Sequence, residues 1–210
     1  HRPFEIILVD DGSRDESARL IQQAALDAPE IVGVMLNRNY GQHAAIFGAF
    51  AEVEGQAIVT LDADLQNPPE EIPKLVALLE EGFDVVGGWR QKREENDSIF
   101  RRVPSLVVNA ITRRTTGVKL HDYGCMLRGY SRDVVDAMIL CKERHSFIPA
   151  LANSLAKRIT EVPVAHAERA AGDSKYGLWK LVNLQFDLLT SFSLLPLQML
   201  SVLGVVISAI

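Results

Sequence analysis

Asp62, Asp64 and Gln66 stand two residues apart in TLDADLQNPPEE, residues 60–71, directly after an apolar run. In an extended chain, residues i, i+2 and i+4 project to the same side, so two carboxylates and an amide would converge. Carboxylates a few ångströms apart repel and raise a pKa unless a cation lies between them. Oxygen-only donors suit Mg²⁺ or Mn²⁺, which keep positions open for substrate phosphates. A second acidic motif, Asp10-Asp11-Gly12-Ser13, also follows an apolar run. Either motif alone is matched by ordinary solvated loop aspartates. The two together, each at the end of an apolar run, favour a site.

The elements that must position them follow from hydrophobic periodicity. Residues 4–9, FEIILV, read as a strand buried on both faces of a parallel sheet. Ser13 and Glu16 fit a capping box for a helix running to about Asp27. A strand at 31–36, a helix of small residues at 41–53 and a strand at 56–61 come next. Asn67 can cap a helix with Pro68 at its first position, or regular turns can begin at Pro73. Leu75, Val76, Leu78 and Leu79 give that helix its apolar face, Gly82 ends it, and 83–87 form a fourth strand. This alternation predicts an open α/β sheet with right-handed crossovers. Ligands in such sheets bind beyond the carboxyl ends of the strands, where both acidic motifs fall. Beyond Arg90 the expected elements are an amphipathic helix at 99–111, an extended stretch at 123–130 and helices at 131–140 and 147–156. A strand at 158–164 and an amphipathic helix at 176–192 follow.

Composition narrows the function classes. With 210 residues, 48% of them hydrophobic, the chain can form one main domain with an appendage. A net charge of -5 argues against nucleic acid as a partner. Basic residues nevertheless crowd 90–119, either as a solvated helix face or to meet anionic lipid or phosphate. Cys125 and Cys141 form no disulfide framework and suit a reducing compartment, and Cys141 with His145 is too few ligands for zinc. The final run, LLPLQMLSVLGVVISAI at 194–210, is expected to be a membrane helix cut short of the roughly 20 residues a span needs, with a buried core helix as the alternative. GxGxxG, GxxxxGK(S/T) and GxSxG are all absent, which disfavours dinucleotide, P-loop and α/β-hydrolase chemistry. A metal-diphosphate site without a glycine cradle remains, as a nucleotide-sugar enzyme would use.

Further motifs sharpen this reading: LNRNYGQH (36–43), TTG (115–117), DYGCMLRGY (122–130), FIPALAN (147–153) and HAERAAGDSKY (166–176). With VDDGS, the Asp-x-Asp motif and the terminal apolar run, they resemble a family-2 glycosyltransferase of the polyprenyl-phosphate branch over almost the whole chain. Within that branch the combination is most similar to bacterial enzymes that place 4-deoxy-4-formamido-L-arabinose on undecaprenyl phosphate for lipid A modification and polymyxin resistance. The resemblance implies a GT-A, Rossmann-like, mostly parallel sheet with flanking helices over 1–170, including an amphipathic interface helix at about 98–112. A juxtamembrane amphipathic helix at 171–193 and the beginning of a transmembrane segment at 194–210 would follow. The family's first strand, carrying proline-valine-tyrosine-asparagine-glutamate, has no counterpart here and is expected to be missing from the N-terminus. Mg²⁺ or Mn²⁺, a UDP-sugar donor, an undecaprenyl phosphate acceptor and the cytoplasmic face of the bacterial inner membrane are implied too. Some relatives are tetramers, so a homo-oligomer is admitted.

The resemblance also assigns roles. Asp10, Asp11, Asn37 and Asp62 would bind the nucleotide sugar, with turn formation or capping as the alternative for the first two. Asp62, Asp64 and Gln66 would hold the metal, which makes Asp64 catalytic, although Gln66 can equally cap a turn. Arg90, Arg101, Ser105, Arg169 and Lys175 would receive the acceptor phosphate, guanidinium forks being well matched to it. Asp122 occupies the position of the family's base, or simply anchors its turn. The implied reaction inverts the anomeric centre, with a phosphate oxygen as nucleophile and metal-assisted departure of the nucleoside diphosphate. UDP-glucose or GDP-mannose remain alternative donors. A nucleotidyltransferase and a non-catalytic membrane-anchored binder are the rivals from other classes.

Overall fold

The computed structural model describes residues 3–90, 121–122, 125–141, 147–165 and 201. Six strands and five α-helices lie along them. They are β1 (Ile6–Asp10), α1 (Ser17–Asp27), β2 (Ile31–Met35), α2 (Gln42–Phe50), β3 (Ala57–Thr60), α3 (Ile72–Glu80), β4 (Val85–Arg90), β5 (Arg128–Ser131), α4 (Arg132–Leu140), α5 (Ile148–Leu155) and β6 (Ile159–Val164). β1 and β2 pair in parallel, and the other four strands lie in the order β3-β5-β4-β6. β4 and β6 are parallel, whereas β5 runs antiparallel between β3 and β4.

Alternation along β4 divides the core. Val85 and Val86 are both fully buried, yet they face opposite sides of the sheet. Val85 joins Phe50, Ile58, Tyr130, Val135, Met138 and Ile148 on one side. Val86 joins Leu75, Cys125, Leu127 and Val164 on the other, where α3 packs. Tyr130 is the hinge of the first cluster: it is paired to Ile58 of β3 and to Val85 of β4, and its ring meets Phe50 edge-on at 5.6 Å.

Several local expectations are corrected. β1 is not buried on both faces: Phe4 is 66% and Ile6 44% exposed, and among the described residues the strand pairs with β2 alone. The capping box does not form. The Ser13 amide instead donates to the Asp10 carboxylate, and α1 begins at Ser17, whose amide donates to Asp15. Asn67 does not cap α3. A 3-10 turn at Pro69–Glu71 leads into the helix, which starts regularly at Ile72 with Pro73 in the first turn, where no amide hydrogen bond is lost. Gly82 ends α3 at φ +88°, as expected. The helices expected at 99–111 and 176–192 and nearly all of the terminal apolar run lie outside the described residues. Among the described residues, no helix is long and apolar enough to cross a membrane.

Leu75 fills the centre of the α3 side and is completely buried. Leu75→Ala is expected to lower unfolding free energy by about 2–5 kcal/mol, read from the denaturant midpoint at unchanged slope.

Candidate functional site at the strand ends

β1 delivers Asp10 and Asp11 to the edge, and both carboxylates are committed to backbone. Asp10, 6% exposed, accepts the Ser13 amide at 3.1 Å. Asp11 reaches across to the loop after β2 and accepts the amides of Tyr40 at 2.7 Å and Gly41 at 2.8 Å. That places a negative charge at the start of α2, where the helix dipole favours one. The Asn39 side chain donates back to the Asp11 carbonyl at 3.2 Å. The two loops close so tightly that a Cβ on Gly12, at φ +69°, would meet the Arg38 carbonyl carbon at 2.5 Å. Only glycine fits there. Asn37 accepts the Tyr40 hydroxyl at 2.8 Å, and the Arg38 guanidinium lies over the Tyr40 ring. The Asp10–Asp11 turn and the 37–41 loop thus form one bonded unit.

Gln42, the first residue of α2, extends this unit to the second motif by donating to Asp62 Oδ1 at 2.7 Å. Asp64 accepts the amide of Gln66 at 3.1 Å. The alternation argument for Asp62, Asp64 and Gln66 fails in detail, because the chain is not extended there. β3 ends at Thr60, the following residues turn, and Leu65 adopts a left-handed φ of +61° while 67% exposed. A bulky residue in that region is uncommon and is held by its surroundings. Among the described residues, no group of three or more His, Cys, Asp or Glu is arranged to hold a metal. Asp62, Asp64 and Gln66 supply a sparse oxygen set. That chemistry fits Mg²⁺ or Mn²⁺, which are held by one or two carboxylates together with substrate phosphates rather than by a protein cage.

The far side of the edge brings together two residues expected to act separately. Arg90, at the end of β4, grips Asp122 with a fork: Nε donates to Oδ2 at 2.6 Å and Nη2 to Oδ1 at 3.0 Å. Both side chains are largely buried, at 13% and 9% exposure. Such a pair is costly to break, since removing one partner strands a buried charge. Behind it stand residues that the sequence did not single out. Arg128, fully buried, donates to the carbonyls of Asp122 and Cys125. Glu161 accepts the amides of His121 and Asp122 and bonds the His121 ring at 2.9 Å, while Trp89 stacks on that ring. Burial raises the Cys125 thiol pKa, partly offset by Arg90. Nothing local in the sequence marks Glu161 or Arg128, because their partners lie across strands. Arg101, Ser105, Arg169 and Lys175 lie outside the described residues.

A sheet of this kind, with acidic turns and an Arg–Asp pair at one edge, has the GT-A fold, and comparisons with known proteins show the same fold. Glucosyl-3-phosphoglycerate synthase from Mycobacterium tuberculosis, solved with Mn²⁺ and UDP-glucose, superposes with a TM-score of 0.57 at 20% identity, covering 89% of this chain and 67% of that one. A mannosyltransferase from Pyrobaculum calidifontis, solved with GDP-mannose and Mn²⁺, gives 0.53 at 19% identity over 83% of this chain and 50% of that one. The family model for glycosyl transferase family 2 matches residues 1–139. The chain belongs to glycosyl transferase family 2. Among curated relatives, an undecaprenyl-phosphate 4-deoxy-4-formamido-L-arabinose transferase from Pseudomonas savastanoi pv. phaseolicola is 60% identical over 97% of this chain and 60% of its own length. One of the same name from Klebsiella pneumoniae is 55% identical over 99% of this chain and 63% of its own. The chain therefore spans less than two thirds of the length of these relatives.

Gly12→Ala is expected to lower stability by more than about 1 kcal/mol, since the new methyl meets backbone in a left-handed turn. Calorimetry should show the lower Tm. His43, in α2, packs edge-on against Phe147 and has a buried Nδ1 with no hydrogen-bond partner among the described residues; burial lowers its pKa. The unfolded imidazole then takes a proton that the folded one refuses. Stability from this residue is unaffected well above pH about 6.5 and falls as pH drops through that range. His43→Phe should flatten this acid limb in a Tm series from pH 8 to 5.

Proposed function

We propose that this chain is the catalytic part of a metal-dependent, inverting glycosyltransferase that moves 4-deoxy-4-formamido-L-arabinose from UDP to undecaprenyl phosphate. The observation that carries the reading is the 55–60% identity, over nearly the whole chain, to relatives named for that transfer. The reaction would take place at the cytoplasmic face of the bacterial inner membrane and serve lipid A modification. In this reading residues 1–170 form the transferase domain, 171–193 a juxtamembrane helix and 194–210 the start of a membrane span.

Asp10, Asp11 and Asn37 shape the nucleotide side of the site through the bonded loops. Asp62, Asp64 and Gln66 hold Mg²⁺ or Mn²⁺, which when bound supplies Lewis-acid neutralisation of the departing diphosphate. Asp62 is held by Gln42 and Asp64 by the Gln66 amide, so both carboxylates are oriented by neighbouring groups. Arg90 gives two of its N–H donors to Asp122 and, in this proposal, meets the acceptor phosphate with the rest of its guanidinium. Asp122 orients the acceptor or takes its proton. An acceptor phosphate is already largely ionised at pH 7, so the proton transfer is a small part of the barrier. Arg101, Ser105, Arg169 and Lys175 complete the phosphate pocket in this proposal.

The test uses the intact protein in lipid nanodiscs with undecaprenyl phosphate, Mn²⁺ and a panel of nucleotide sugars, with mass spectrometry of the lipid. A new lipid mass with UDP-4-deoxy-4-formamido-L-arabinose alone is expected, and Asp64→Ala should reduce its rate by about two orders of magnitude or more. Product with UDP-glucose or GDP-mannose instead overturns the donor. Folded protein that binds UDP but transfers nothing overturns the activity.

A further inference from the structure

Three strands place one residue each in a single row across the sheet. Gly87 of β4 is paired to Arg128 of β5 on one side and to Glu161 of β6 on the other. Paired residues in neighbouring strands present their side chains to the same face. The middle position has no side chain, and the two charged groups converge over it. A Cβ added at Gly87 would lie 3.4 Å from Glu161 Cγ and 3.6 Å from Arg128 Nη1. Both charged side chains are withdrawn from solvent, Arg128 completely and Glu161 to 9% exposure.

Their hydrogen bonds end on one residue from two sides. Glu161 Oε1 accepts the amide of Asp122 at 3.2 Å, and its two oxygens accept the amide of His121 at 3.0 and 2.8 Å. Arg128 Nη2 donates to the carbonyl of Asp122 at 3.0 Å, while its Nε holds the carbonyl of Cys125 at 2.9 Å. The backbone of Asp122 is thus clamped at both its N–H and its C=O. No strand or helix contains Asp122, so these bonds replace regular structure in fixing it. Its side chain meets the Arg90 fork.

We infer that Glu161, assisted by Arg128 across Gly87, is a positioning residue of the transfer reaction that sets the place of Asp122 and, through it, of the Arg90 guanidinium. The inference rests on the proposed role of Asp122 at the acceptor side. Glu161 touches neither substrate nor metal in this account, and it acts through the backbone it holds. The carboxylate accepts the backbone N–H groups of both His121 and Asp122 and pairs with Nδ1 of the His121 ring. The amide of a glutamine keeps one acceptor oxygen and turns an NH₂ towards donors. Glu161→Gln is therefore nearly isosteric, and with its oxygen in place of Oε1 it turns its NH₂ onto the His121 amide that Oε2 accepts at 2.8 Å.

The experiment is a double-mutant cycle on the intact protein in nanodiscs, comparing wild type, Glu161→Gln, Asp122→Asn and the double variant. Single-turnover rates, Mn²⁺–UDP affinity and Tm are measured for each. Glu161→Gln should slow transfer about 10–100-fold, the range seen when the support of a reacting group is removed. Mn²⁺–UDP affinity should stay within about threefold, and Tm should fall by no more than several degrees, the cost of one unsatisfied buried donor. In the Asp122→Asn background the Glu161 change should cost little more, because residues acting as a unit are not additive. Full additivity overturns the inference, as does a loss of rate matched by equal losses in UDP affinity and Tm. A Glu161→Gln rate within about threefold of wild type also overturns it, even if Asp122→Asn is inactive, and leaves the proposed function standing. Full activity of Asp122→Asn would overturn both the inference and the role of Asp122, and is recognised by that variant alone.

Discussion

The insertion of β5 between β3 and β4 is the constraint from which the site follows. An antiparallel strand in that place begins where its two neighbours end. The residues just before β5 are therefore delivered to the same edge as Asp62 and Arg90. The joint is tight on both sides. Thr60 donates its hydroxyl to the Met126 carbonyl at 2.8 Å, and the Gly88 amide donates to the Leu127 carbonyl at 2.9 Å. A Cβ at Gly88 would sit 2.8 Å from that same carbonyl oxygen, so β4 must carry glycine for the approach to β5 to exist. Tyr130 then seals the strand into the core from below.

A second constraint works at the other half of the edge and is electrostatic. Asp11 offers a carboxylate to two successive amides at the start of α2, and α2 in turn places Gln42 against Asp62. Each link is a charge-assisted or amide hydrogen bond between residues 20 to 30 positions apart. Together they carry the position of the first acidic motif to the second. A nucleotide between them would meet a surface already ordered, with little loop entropy left to lose on binding.

How much of this was legible in the sequence depends on the range of the interaction. Val85 and Val86, or the apolar face of α3, could be placed because period and burial are local properties of a strand or helix. The end of α3 at Gly82 was legible for the same reason. Ser13 was misread because a capping box and an aspartate turn compete for the same amide, and Asp10 lay closer. The turn after β3 was misread because nothing in DADLQ announces a left-handed leucine. Asp122 and Arg90 receive separate roles through family resemblance, and no local pattern announces a pairing that spans 32 positions. Glu161 had no signal at all. A glutamate in an alternating strand reads as its solvent face, and only the glycine opposite it on β4 makes an inward carboxylate affordable.

The cluster around Asp122 is hard to explain as a device for stability. Two arginines and two carboxylates sit at a largely buried edge, and each pays a desolvation cost that pairing only partly returns. Apolar residues of similar volume would hold the same strands together as well or better. What they would not do is fix the direction of a carboxylate. Arg128 and Glu161 hold backbone, Arg90 holds the side chain, and the three act along different directions on one residue. A group tied along three directions has little freedom to reorganise when charge moves beside it. In a low-dielectric edge that absence of reorganisation is what makes a fixed charge effective on a phosphate or a departing diphosphate. The buried charges are best understood as the structure's means of presenting Asp122 and Arg90 in one orientation, with stability left to the valines, leucines and tyrosine beneath them.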